Sequence, residues 1–213
     1  MSDSFAGALL IPLLISGFWW CGIHGATIIG GIMGPILQAN GLANQEVFAS
    51  GAKLVAGENA AIVTNQFIDQ FITVGGSGLT LGLVVTMLIF SKSQQYKELG
   101  KLSIVPGLFN INEPIIFGFP MVFNPIMAIP FILAPVISAV MVYVSIATGI
   151  VDPFRAISVP WTTPIVISGF LVGGIKAAIL QIAVFAMTVA VYFPFFKYQD
   201  KLAAEEENKT VTA

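Results

Sequence analysis

The sequence predicts an all-α membrane protein that crosses the bilayer several times, with interrupted transmembrane helices and two re-entrant hairpins. Three observations predict it. The chain is 56% hydrophobic and only 9% charged, with a mean hydropathy of +0.90, whereas soluble domains carry roughly 25% charged residues. Residues 4–45, 114–151 and 177–196 contain no Asp, Glu, Lys or Arg, and each stretch reaches the ~20 residues that a spanning helix needs. Glycine and proline punctuate these apolar runs, and irregular backbone at membrane depth persists only where protein or a water-filled cavity covers it.

Residues 5–37 exceed one tilted span, but GFWWCGIHGATIIGGIMGP loads the run with glycine. An interrupted helix is expected, broken near His24 and ended by Pro35. Residues 38–56 are polar and small, and read as a connection outside the membrane. Residues 58–77 are too polar for a lipid-facing span and too apolar for a free loop, so they fit a re-entrant hairpin. Its tip would lie at Gly75, Gly76, Ser77 and Gly78, where backbone N–H groups approach a ligand with no Cβ in the way. An ordinary interhelical loop uses the same glycines.

Residues 79–90 then form a short apolar helix, and SKSQQYKELGK forms a basic loop whose three lysines favour the cytoplasmic side. Residues 103–118 are the second re-entrant segment. A long span follows over 120–149, with bends at Pro125, Pro130 and Pro135. Residues 151–164 are a polar, proline-rich insertion, and 175–196 are the last span. Residues 1–198 thus make one substrate-binding membrane domain, and 199–213 a charged cytoplasmic tail expected to fray.

Glu113 carries the functional signal. It is the one charge between Lys101 and Asp152, and Pro114 follows it. An ionised carboxylate in hydrocarbon costs several kcal/mol, so it faces a partner, a polar ligand or a wet cavity; a loop at headgroup level is the plainer alternative. Two Gly/Pro-interrupted segments in a polytopic chain point to a transporter site near the midplane. An ion site would draw on several acids, and these stretches offer Glu113 and Asp69. The inventory favours a neutral, hydroxyl-rich ligand: His24, Asn110, Asn112, Thr162, Thr163 and Glu113 supply hydrogen bonds, and Trp161 a flat apolar face.

Other classes are poorly supplied. Cys21 is the single cysteine and His24 the single histidine, too few for an intrachain disulfide or a zinc site, so no metal is expected. The net charge of -2, with scattered basic residues, offers no nucleic-acid surface. MSDSFAGALL lacks the basic n-region of a secretory signal, and suits the middle of a longer protein.

Four motifs in order, GIHG (22–25), GGSG (75–78), NINEP (110–114) and VPWTTP (159–164), resemble the membrane component, enzyme IIC, of the lactose/cellobiose/chitobiose family of the bacterial phosphotransferase system. The likeness is to the C-terminal, sugar-carrying half. It implies a permease of the bacterial cell membrane that binds and translocates a disaccharide, which a separate cytoplasmic IIB subunit phosphorylates from its own phosphocysteine. It implies membrane lipid, an N-terminal IIC half and a homodimer as partners, a cytoplasmic C-terminus, and no cofactor. Residue by residue, it implies that Glu113 is the catalytic group, holding the hydroxyl that receives phosphate. His24, Gly76, Asn110 and Trp161 would join it in binding the sugar. A non-catalytic scaffold or sensor, and an ion-coupled sugar symporter, are the alternative functions.

Overall fold

The structure is a computed structural model describing residues 3–212, so Met1, Ser2 and Ala213 lie outside the described residues. Helix α1 (Phe5–Trp20) begins at Ser4, whose hydroxyl oxygen accepts from Gly7 N–H, and gives way at Cys21 to a glycine turn. Helix α2 (Gly25–Ala49) starts at the expected break, with His24 as its N-cap. It does not end at Pro35. One proline removes a single helical bond, and the helix carries on through what sequence reads as a connection. The two helices form a hairpin so close that a Cβ on Gly25 would lie 2.1 Å from the Ile15 carbonyl oxygen.

The next crossing is broken. A single turn α3 (Asn65–Phe67) leads into a π-helical turn (Ile68–Ile72), then a glycine bend and a 3₁₀ turn (Ser77–Leu79), and then α4 (Leu81–Phe90). The two halves meet at 50°. Contacts with the last helix, α8 (Ile167–Thr212), give the direction. Gln70 accepts from Gln181 Nε2, Gly82 packs on Thr188, Phe90 meets Phe193 edge-on, and Ser91 to Ser93 donate to Asp200. The segment therefore advances steadily along α8 from Gln181 to Asp200, about 28 Å of helix, close to the ~30 Å hydrocarbon thickness. This corrects the hairpin expected over 58–77: the glycine bend deflects the chain without reversing it.

Residues 94–118 do fold back. Helix α5 (Gln94–Leu108) and the short α6 (Glu113–Gly118) are joined by a turn at 109–112, and α6 returns until Gly118 packs on Leu99 and Phe119 lies 4.7 Å from the Tyr96 ring. The basic loop expected at SKSQQYKELGK is largely the first half of α5. Ser93 caps it, and a carboxylate distant in sequence completes the cap.

Helix α7 (Pro125–Ala147) runs antiparallel to α1, with Trp20 Nε1 donating to the Asn124 carbonyl at one end and Phe5 against Tyr143 at the other. Residues 151–166 are irregular, as expected. Their path makes an excursion: Pro153 and Gly173 line one cavity at the end holding the α7 C-terminus, while Trp161 and Thr163 reach into the centre to meet Asn110. Gly173 and Gly174 then break the helical geometry, and α8 proceeds to the other end.

The tail expected to fray is helical over its described residues, with helix α8 continuing to Thr212. Asp200 accepts from Ser91 Oγ and from the N–H groups of Lys92 and Ser93. Two turns on, Glu207 accepts from Ser93 Oγ and from the Gln94 and Gln95 N–H groups at the start of α5. These donors are orphans of a helix N-terminus, which acidic side chains stabilise.

In the core Phe71 stacks on Phe154 at 5.1 Å, and Phe67 and Phe131 are fully buried in the same hydrophobic cluster. Large apolar side chains also point outward, among them Leu10, Ile32, Ile89 and Ile175. Among the described residues, three helices are long and apolar enough to cross a membrane, and the broken pair makes up to four.

Candidate functional site

His24, Gly76, Asn110, Glu113 and Trp161 all line one cavity of about 370 Å³, together with Trp19, Thr27, Asp69, Thr73, Ser77 and Asn112. The breaks in the chain bring them there. The α1–α2 turn supplies His24, the bend of the broken span supplies Gly76, the α5–α6 turn supplies Asn110 and Glu113, and the central excursion supplies Trp161.

His24 has a fixed orientation. Its Nδ1 accepts from Thr27 N–H at 3.2 Å and lies 2.8 Å from Thr27 Oγ1, and its ring tilts against Trp19 at 4.4 Å. An Nδ1 used as an acceptor assigns the proton of the neutral ring to Nε2, so the imidazole offers one N–H donor. Trp19 is 5% exposed, and its indole Nε1 finds no acceptor among the described residues.

Gly76 is at φ +90°, and a Cβ there would lie 2.3 Å from that of Asn112. Only glycine permits this approach. Asn112 in turn donates to the Ser77 carbonyl at 2.7 Å. Asn110, itself in the left-handed region at φ +65°, spends its amide on the protein: Oδ1 accepts from Gly75 N–H, and Nδ2 donates to the carbonyls of Trp161 and Thr163. It joins three walls of the cavity, a positioning task that its expected ligand contact does not describe.

Glu113 opens α6, with Pro114 in the first turn, where its missing N–H costs nothing. The break falls just before it, at 109–112. Its carboxylate is exposed to the cavity with neither a salt bridge nor a hydrogen-bond donor among the described residues. Trp161 is 60% exposed and forms an edge of the cavity. Thr162 and Thr163 do not line it; Thr163 contributes only its carbonyl, to Asn110.

Sequence reasoning left Thr73 and Thr27 unassigned, since single hydroxyls in apolar runs carry no signal of their own, while Ser77 falls in the expected glycine-rich tip. The site's depth is legible from α8. Gly75 follows Gln70, which lies at Gln181, and precedes Gly82, which lies at Thr188, so the cavity stands near the middle of the apolar stretch 177–196. No group of three or more potential metal ligands converges among the described residues.

The family described as "Phosphotransferase system, EIIC" matches residues 1–135. The chain belongs to the EIIC family. It is 47% identical over its whole length to a cellobiose-specific EIIC component of Geobacillus stearothermophilus, covering 47% of that protein. It is 45% identical over 98% of its length to a putative permease IIC component, YwbA, of Bacillus subtilis, covering 46% of it. A lactose-specific EIICB component of Staphylococcus aureus is 34% identical over 98% of this chain and 36% of its own. Among solved structures, the IIC transporter ChbC of an N,N'-diacetylchitobiose-specific phosphotransferase system superposes with a TM-score of 0.92 at 44% identity, over 97% of this chain and 47% of the other. The chain spans about half the length of the EIIC relatives it matches.

Proposed function

We propose that this chain is the sugar-binding half of a phosphotransferase-system permease for a β-linked disaccharide, corresponding to the C-terminal half of its relatives. The observation that carries the reading is the midplane cavity, where an imidazole donor, an unpaired carboxylate and an indole face meet. Relatives named for cellobiose, lactose and diacetylchitobiose support it. Hydroxyls donate to Glu113 and accept from His24 Nε2–H, and a pyranose face covers Trp161. A carboxylate within hydrogen-bond reach of the accepting hydroxyl takes its proton as the oxygen attacks phosphorus and the P–S bond to the IIB cysteine breaks, the cysteine leaving as thiolate. Phosphoryl transfer otherwise rests on positioning and charge stabilisation, which a cytoplasmic IIB subunit supplies. The remaining parts of the proposal are the N-terminal half, a homodimer, membrane lipid and a cytoplasmic C-terminus.

Trp19 and Trp161 line the cavity, so intrinsic fluorescence of the protein in lipid nanodiscs reports occupancy. Saturable quenching by cellobiose, lactose or diacetylchitobiose, but not by sucrose, is expected. In membranes carrying the full-length permease with the soluble phosphotransferase components, sugar phosphate should form only when phosphoenolpyruvate is supplied. Uptake of unmodified sugar driven by an ion gradient would instead establish a symporter.

A further inference from the structure

Asp69 is the second acid of the cavity, and the roles assigned above leave it unused. It lies in the π-helical turn, where one extra residue per turn changes which side chains face inward, a feature frequent at functional sites. Its neighbours Ile68, Gln70, Phe71 and Ile72 are all buried, while Asp69 alone in that turn is exposed and lines the cavity. Its carboxylate has no hydrogen bond or salt bridge among the described residues. Thr73 Oγ1, the nearest hydroxyl along the chain, donates to the Ile68 and Asp69 main-chain carbonyls instead. An intramembrane acid without a protein partner calls for an external one.

Its place in the cavity says which part of a ligand it meets. A narrower lobe of about 90 Å³ extends from the main cavity along α2, past Gly30, Met33 and Gly34. The two compartments share Ala26, Asp69 and Thr73, whereas Glu113, Asn110 and Trp161 belong to the main one alone. Asp69 therefore stands at the junction, on the side away from Glu113.

We infer that Asp69 is a specificity-determining residue that accepts hydrogen bonds from hydroxyls of the sugar unit farther from Glu113, and so sets the preference for a disaccharide over a monosaccharide. This inference rests on the disaccharide reading above. A site built to bond a hydroxyl rejects analogues lacking it, because its polar group is then left unpaired.

The test is a pair of fluorescence titrations of the nanodisc-embedded protein, with cellobiose and with glucose. In Asp69→Asn the ratio of disaccharide to monosaccharide affinity should fall about ten- to hundredfold, the range of a hydrogen bond to a charged group. In Glu98→Gln, an exposed acid outside the cavity, that ratio should stay at the wild-type value. Gly34→Val places side-chain atoms in the narrower lobe, where a Cβ meets nothing within 4 Å, and should lower the same ratio without touching any charge. An unchanged ratio in both Asp69→Asn and Gly34→Val, or a cellobiose affinity that depends on sodium in wild type and not in Asp69→Asn, would overturn the assignment. If the wild type binds neither sugar, the disaccharide reading falls first and this inference with it. If it binds both and the variants match it, only the role of Asp69 falls.

Discussion

Two residues decide whether the cavity works as a phosphorylation site. Glu113 forms no ion pair among the described residues, so its role is tested by removing charge while keeping shape. Glu113→Gln in the full-length permease should lower phosphorylation by roughly 10²–10⁴ while sugar affinity falls much less; normal turnover would reject the role of base. Gly76 is constrained by backbone. In Gly76→Ala the added methyl needs both a left-handed conformation and the space held by Asn112, at a cost of about 1–3 kcal/mol. A lower melting temperature and loss of fluorescence quenching are expected, and an alanine variant that binds as wild type does would show the approach to be unnecessary. The sequence places five residues correctly around one cavity because each stands at a glycine or proline break. The main-chain bonds of Asn110 are not legible there, because a lone asparagine does not disclose which carbonyls and N–H groups its amide meets.

At the scale of elements, the contact between the end of α8 and the start of α5 stands out. The whole apolar helix, Ile167–Lys209, would be about 65 Å long, twice the hydrocarbon thickness, so the charged turns beyond Phe196 lie outside the membrane. There Asp200, 2% exposed, serves three donors. Asp200→Ala strands two main-chain N–H groups at about 1–3 kcal/mol each, and Asp200→Asn should recover part of the loss; equal melting of the two variants would contradict this. Glu207 is held below the ordinary glutamate range, first by the Gln95 N–H and then by Ser93 Oγ–H and the Gln94 N–H. A depressed carboxyl stabilises fully above the unfolded pKa and loses that contribution as pH falls through the folded one. Amide exchange at Gln94 and Gln95 should therefore accelerate, after correction for intrinsic rates, only as pH drops below the ordinary glutamate range, and in Glu207→Gln should lose that pH dependence. This clamp also explains two elements that sequence misreads. SKSQQYKELGK looks like a loop and the tail looks frayed because each is completed by the other, more than a hundred residues away. The broken span is misread for a related reason: a run of glycines announces a bend but not its angle, and 50° deflects the chain where a hairpin needs reversal.

Across the whole molecule, the basic residues are unevenly divided. Lys92, Lys97, Lys101, Lys197, Lys201 and Lys209 stand at the end holding the clamp, against Lys53, Arg155 and Lys176 at the other. The excess of basic residues in short connections sets orientation, so the clamp end should be cytoplasmic. Cys21 is the chain's only cysteine, and a Cys21→Ser background makes labelling simple. A cysteine at position 53 should react with an impermeant maleimide from outside the cell, and one at position 95 only after permeabilisation; the opposite pattern would invert the molecule.

Around the cavity, the long-range fastenings are made largely by carboxamides. Asn110 joins three segments, Gln181 holds Gln70, Ser168 and the Val166 and Gly169 N–H groups, and Asn44 ties α2 to the Ala61 and Phe154 main chain. A carboxamide presents donor and acceptor together and has no proton to gain or lose in the physiological range. The fastenings that hold these segments together therefore contain no titrating side chain, and the packing they fix does not depend on the protonation of the groups that make it.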